Sequence, residues 1–139
     1  MAITINPYLN FNGNCAEAFR FYADVLGGKD LRIMKFRDTP MAGQAAEKEK
    51  DMVAHARFSA GQTMIMGSDA AGGHFNKPQG YAININVDTP EEAERVFAAL
   101  SQGGNVGMPM AETFWARRFG MVTDKFGTHW MVNCEKQMG

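Results

Sequence analysis

The feature that most constrains this chain is an internal repeat. Two segments share one order: strand-like residues, a loop, an amphipathic helix, a Gly-Gly pair and another strand. In the first, the spacing predicts a helix from Asn14 to Leu26, with Ala18, Phe21, Tyr22, Val25 and Leu26 as its apolar stripe. The Asn14 side chain is of the type that caps a helix, and Gly27-Gly28 can end it in the left-handed region. In the second, the helix runs from Pro90 to Gln102, capped by Thr89, with Glu91 and Glu92 at its positive end. Its stripe is Ala93, Val96, Phe97 and Leu100, and Gly103-Gly104 stops it. Shifting by 75 positions lays Glu17, Ala18, Phe21, Tyr22 and Val25 over Glu92, Ala93, Val96, Phe97 and Leu100. Chance likeness between two amphipathic helices is the competing explanation. A true repeat would decide the fold class before any single element does.

Eight strand-like stretches surround the helices, near residues 3–11, 29–36, 52–60, 62–68, 80–87, 105–110, 112–123 and 128–135. The expected fold is therefore α+β: two tandem β-α-β-β-β modules in a single domain. Module 1 covers about residues 1–69, a linker about 70–79 and module 2 about 80–139. Several strands alternate with period two. Leu9 and Phe11 alternate with Tyr8 and Asn10, and Ala54, Ala56 and Phe58 with His55 and Arg57. Ile83, Ile85 and Val87 alternate with Ala82, Asn84 and Asn86, and Trp130 and Val132 with His129, Met131 and Asn133. One face of each sheet is thus apolar and meets a helix, while the other is hydrophilic. Burying those polar groups without partners would cost about 1–3 kcal/mol each. The hydrophilic faces are therefore expected to line a cleft, a ligand site or a polar dimer seam. Met64, Met66 and Met131 share that parity, as core filler or as an adaptable apolar wall.

Composition excludes several classes. The formal net charge is -1 and the basic residues are scattered, so no footprint for nucleic acid or an anionic membrane is present. The run Glu47-Lys48-Glu49-Lys50-Asp51 mixes signs and reads as a solvated loop. Two cysteines, Cys15 and Cys134, match no zinc or redox spacing and suit a reducing cytoplasm. The opening residues lack the pattern of a secretory signal, and no apolar run approaches a membrane span. Localisation is expected to be cytoplasmic. No glycine-rich strand-to-helix turn, P-loop, nucleophile elbow or HExxH occurs, and no cofactor is expected.

Individual residues carry two readings each. His55 and His129 are the catalytic candidates, as general bases or ligands, against a role as satisfied structural donors. His74 lies in the linker. Trp115, in a strand beside Phe114 and Phe119, either packs or stacks on a ligand. Arg57, Arg117 and Arg118 either bind an anionic group through the guanidinium fork or are solvated. Asp124 reads as a turn residue. The polar insertion 38–51 and the linker are flexible connections or binding rims.

Pro7-Tyr8-Leu9-x-Phe11-x-Gly13-Asn14, then Glu17-Ala18-x-x-Phe21-Tyr22 and Leu26-Gly27, resembles the opening of PhnB-like proteins. Ala54-His55-Ala56 and Met66-x-Ser68-Asp69 resemble that family's third and fourth strands. Glu112-Thr113-Phe114-Trp115-Ala116-x-x-Phe119-Gly120, then Thr123-Asp124-x-Phe126-Gly127-x-x-Trp130-Met131-x-Asn133, resembles its second module. The family is a branch of the vicinal oxygen chelate (glyoxalase/bleomycin resistance/dioxygenase) superfamily. The resemblance implies curved mixed sheets around a cleft, a homodimer and a small-molecule ligand. In the wider superfamily a divalent metal is held by strands one, four, five and eight. Here those positions fall on Tyr8, Ser68 or Asp69, Ala82 and Met131, so no metal of that type is expected. The expected function is binding of a small organic molecule in the cleft by Tyr8, Asn10, His55, Arg57, Met66, Asn84, Trp115 and Met131. The alternatives are a metal-dependent lyase, isomerase or dioxygenase with displaced ligands (His55, His129 and Asp69), or a drug-sequestering protein without activity.

Overall fold

The computed structural model describes residues 2–136. It holds β1 (Tyr8–Phe11), α1 (Cys15–Leu26), β2 (Lys29–Lys35), β3 (Val53–Ala60), β4 (Thr63–Asp69), β5 (Ile83–Asn86), α2 (Pro90–Ser101), β6 (Asn105–Ala111), β7 (Ala116–Thr123) and β8 (His129–Glu135). The chain divides into two compact units, Met1–Asn76 and Lys77–Gly139. The first has a four-stranded sheet of order β1-β4-β3-β2, and the second repeats it as β5-β8-β7-β6. In each, the first and last strands pair in parallel and the other pairs are antiparallel. The architecture is α+β, with two mixed, open sheets.

The repeat holds at the level of elements. The 75-residue shift carries Tyr8–Phe11 onto Ile83–Asn86 and Cys15–Leu26 onto Pro90–Ser101. It breaks after β2, because Val53 of β3 stands only 63 positions before Ala116 of β7. The extra chain is the polar insertion, which forms 3-10 turns at Phe36–Asp38, Ala42–Gln44 and Glu47–Glu49. Backbone hydrogen bonds from Phe36 N to Met52 O (3.0 Å) and from Arg37 N to Lys50 O (2.9 Å) close its base.

Three strands are shorter than the sequence suggests by four residues or more. β1 starts at Tyr8 because Pro7 has no amide hydrogen for the ladder, although its carbonyl accepts from Met66 N at 3.0 Å. β5 starts at Ile83, beyond Gly80 with its positive φ of 87°. β7 starts at Ala116, since Thr113 Oγ1 accepts from the amides of Trp115 (3.3 Å) and Ala116 (2.9 Å) and folds that segment into a turn. Trp115 therefore precedes the strand instead of lying in it.

Each helix buries one stripe against its sheet. The α1 stripe is rotated from the expected one: Cys15, Ala18, Phe19, Tyr22 and Val25 are buried, and Phe21 is half-buried. Phe19 sits edge-on to Phe11 (6.0 Å) and Phe58 (5.6 Å), arrangements worth about 0.5–1.5 kcal/mol beyond area burial. Gly67 makes this approach possible, since a Cβ there would lie 2.7 Å from both Leu9 O and the Phe19 ring. In α2 the expected Ala93, Val96, Phe97 and Leu100 are the buried set, facing Val122, Trp130 and Val132 of their own unit. Thr89 Oγ1 caps α2 by accepting from Glu92 N at 3.1 Å. Asn14 makes no side-chain cap on α1. Asp69 supplies one from the neighbouring strand instead, accepting from Cys15 N at 3.0 Å. No helix among the described residues is long and apolar enough to cross a membrane.

Candidate functional site

On the first unit, the residues that alternate with the buried row Leu9, Phe11, Ala56, Phe58 and Ile65 face away from the helix. The register sets them in rows. Tyr8 pairs with Met66, Met66 with Arg57, and Arg57 with Arg32. Asn10 pairs with Ser68, and His55 with Met34. Tyr8, Asn10 and Arg57 are exposed, His55 and Met66 half-buried. The Tyr8 and His55 rings approach to 6.1 Å. Arg32 joins this row only through the β2–β3 register, for which the sequence carries no local signal. Two guanidinium groups opposite each other, with no ion pair among the described residues, repel modestly and favour an anion nearby.

Asp69 was a possible metal ligand, but its carboxylate is committed to the backbone. Oδ1 accepts from Gly13 N (2.9 Å) and Cys15 N (3.0 Å), and Oδ2 from Val53 N (2.8 Å). It is buried and joins the ends of β1, β3 and β4. Beside it, burial pushes the Cys15 thiol up to about 12 from 9.0, with the Asp69 charge adding to the effect. Cys15 is an inert core thiol. A hollow of about 210 Å³ lies under the insertion, lined by Phe36, Met41, Gln44, Ala45, Glu49 and Gly72.

On the second unit the open face carries two rows and a clamp. Asn84, Met131, Met121 and Met108 pair in succession across β5, β8, β7 and β6. Beside them run Asn86, Asn133 and Phe119. Trp115 Nε1 donates to Asn133 Oδ1 (3.2 Å), Asn133 Nδ2 to Asn86 Oδ1 (3.0 Å), and Asn84 Nδ2 to the same oxygen (3.0 Å). Trp115 also packs edge-on against Phe119 at 5.1 Å and against the exposed Phe114 at 4.8 Å. Asn86, Asn133 and Phe119 are absent from the residues singled out as ligand contacts. Their parity with Asn84 and Met131 was the available signal.

His129 is placed differently from His55. Its Nε2 meets Pro78 O at 2.9 Å and its Nδ1 meets Thr123 Oγ1 at 2.7 Å. A carbonyl only accepts, so Nε2 carries the hydrogen and Nδ1 takes the threonine hydroxyl. Both ring nitrogens are spent. A hollow of about 90 Å³ beside it is lined by Ala82, Gly107, Met121, Thr123 and Trp130. Asp124 is more than a turn residue. Its Oδ1 accepts from Phe126 N (2.8 Å) and Thr128 N (3.1 Å), and its Oδ2 from the buried Trp130 Nε1 (2.8 Å). Arg117 donates to Asp88 O (2.7 Å) and Arg118 pairs with Glu94 (3.2 Å), so both are used at the surface.

The metal implied by the superfamily does not fit this donor set. The residue across from Met131 is Asn84, and Ala82 precedes the strand. In the first unit Tyr8 stands across from Met66, and Ser68 across from Asn10. A hard divalent ion needs several oxygen or imidazole ligands, and neutral thioethers are soft. Two of the three displaced candidates, Asp69 and His129, are already bonded. Among the described residues no group of three His, Cys, Asp or Glu is placed to hold an ion.

The pattern of the 3-demethylubiquinone-9 3-methyltransferase family matches residues 3–133. Protein YjdN of Escherichia coli (strain K12) is 35% identical over 141 residues, covering 96% of each chain. The structure of protein PA1353 from Pseudomonas aeruginosa superposes with a TM-score of 0.89 at 47% identity, covering 98% of this chain and 100% of that one. A PhnB protein from Bacillus cereus follows at 0.75 and 25%, covering 95% and 99%. A glyoxylase/bleomycin resistance protein/dioxygenase domain from Frankia shares the fold, at 0.66 and 14%, covering 98% and 99%. The repeated sheet topology, the motifs across both units and the match over residues 3–133 agree: this chain belongs to the PhnB-like 3-demethylubiquinone-9 3-methyltransferase family, and its fold is that of the glyoxylase/bleomycin resistance protein/dioxygenase domain.

Proposed function

We propose that this chain binds a small organic molecule against the hydrophilic faces of its sheets, without the metal ligands of the wider superfamily. The observation that carries this reading is a set of polar side chains opposite a buried apolar row, several of them with no hydrogen bond or ion pair among the described residues. The side chains of His55, Arg57 and Arg32 make no hydrogen bond or ion pair among the described residues. The contacts are Tyr8, Asn10, His55, Arg57 and Met66 on the first unit, and Asn84, Trp115 and Met131 on the second. His55 is the acid–base group of choice, because its ring nitrogens are uncommitted while those of His129 are not. The methyltransferase in the family's description finds no support in the residues, since no glycine-rich turn for an adenosyl cofactor is present.

In this reading the chain is a single glyoxalase-like domain with a linker near 70–79, works in the cytoplasm and forms a homodimer. Ile3, Ile5 and Phe114, each at least 87% exposed, are the apolar groups a second copy would cover. A thermal-shift screen of small organic molecules, with and without EDTA, tests the function. The expected result is a stabilising ligand whose effect survives EDTA. Stabilisation that requires an added divalent ion would instead establish the metal-dependent alternative. Turnover of the ligand found separates an enzyme from a sequestering protein.

A further inference from the structure

We infer that the open face of the second unit recognises a neutral, planar molecule carrying a hydrogen-bond acceptor beside a donor on one edge, a lactam being the simplest case. This rests on the ligand-binding reading above and names its ligand class. Trp115 heads a hydrogen-bond chain, and its indole N–H can only donate. It donates to Asn133 Oδ1, which turns the Asn133 amide so that Nδ2 meets Asn86 Oδ1. That oxygen also accepts from Asn84 Nδ2. A donor-only group at the head of the chain thereby fixes all three amides, each of which alone is free to flip. Reversing Asn133 would set two donors against each other at a residue only 6% exposed, at a cost of about 1–3 kcal/mol. Two groups are left over on exposed residues: Asn86 Nδ2, a donor, and Asn84 Oδ1, an acceptor.

The surroundings define the rest of the ligand. Trp115 is 38% exposed and offers an aromatic surface, and Met121 and Met131 offer adaptable apolar contact. The register partners around Asn84 and Asn86 (Met131, Met121, Asn133 and Phe119) include no Asp, Glu, Lys or Arg, so a ligand charge held there would be desolvated without compensation. A carbonyl on the ligand takes Asn86 Nδ2, and the adjacent N–H takes Asn84 Oδ1. Paired readout of this kind discriminates strongly against an analogue lacking one partner, because a polar group is then left unpaired.

The test is calorimetric titration of the full chain with 2-quinolone, N-methyl-2-quinolone and quinoline-2-carboxylate. The native protein is expected to bind 2-quinolone about tenfold or more tighter than its N-methyl analogue. Trp115→Phe keeps an aromatic ring but removes the indole N–H, and should reduce that ratio to below about threefold. Asn86→Asp preserves an oxygen for both neighbouring amides and sets an acceptor against the ligand carbonyl in place of the outward donor, so its affinity for 2-quinolone should fall about tenfold or more. Should Trp115→Phe not fold, Asn86→Asp carries the test. Equal affinity for 2-quinolone and its N-methyl analogue overturns the inference. So does binding of the carboxylate alone, which leaves the ligand-binding reading standing. If nothing here or in the wider screen binds, both fall.

Discussion

Asp69 shows how much one side chain decides in this fold. Its two oxygens take three backbone amides from the first loop, the start of α1 and the start of β3. Asp69→Asn replaces one acceptor with a donor and leaves at least one buried amide unpaired. It should cost about 1–3 kcal/mol in urea denaturation, with the same native fold by circular dichroism. Its neighbour Cys15 has a folded pKa raised to about 12 against 9.0. The unfolded chain therefore ionises first. Stability from this group is complete below pH 9 and declines as pH rises from 9 towards 12. Comparing pH–stability profiles of native protein and Cys15→Ala isolates that decline, which the variant should lack. Native Cys15 should also resist thiol reagents at pH 8 until the protein unfolds. None of this was readable from composition. Asn14 looked like the cap of α1, and only the strand order brings Asp69, 55 positions later, to the place where it replaces it.

At the scale of elements, the close seating of α1 on its sheet depends on Gly67. Gly67→Ala places a Cβ 2.7 Å from Leu9 O, a backbone atom that cannot step aside. Overpacking of this kind should cost about 1–3 kcal/mol, measured as a lowered denaturation midpoint with an unchanged slope. Thr89→Ala removes the α2 cap and should cost about 1 kcal/mol. The helices and most strands were legible because period and punctuation are local signals: Thr89-Pro90 opens α2 and Gly27 closes α1 with a φ of 64°. The rotation of the α1 stripe was not legible. Phe19 and Phe21 are equally apolar, and which one faces inward is settled by the glycine-lined space on β4. The start of β7 was hidden for a similar reason, since a threonine hydroxyl bonding two amides leaves no period in the sequence.

For the molecule as a whole, the repeat and the family motifs made the fold readable from the sequence, while the site was readable only by parity. Parity puts Asn84 and Met131 on one face. It does not tell that they are register partners, that Asn133 is buried beneath Trp115, or that His129 is clamped between Thr123 and Pro78. Sedimentation analysis should give a mass of about twice 15.3 kDa for the proposed homodimer, and Ile3→Ser with Phe114→Ser should move it towards the monomer. The central claim is that a ligand sits on the hydrophilic sheet faces and needs no metal there. It is tested most directly by a ¹⁵N–¹H correlation titration of the full chain in EDTA, with the best ligand from the screen. The expected shifts concentrate on the hydrophilic face of a sheet, at the Trp115 indole and the side-chain amides of Asn84, Asn86 and Asn133 or at the amides flanking His55 and Arg57. Shifts that appear only after a divalent ion is added, or that map to the faces covered by α1 and α2, would contradict it.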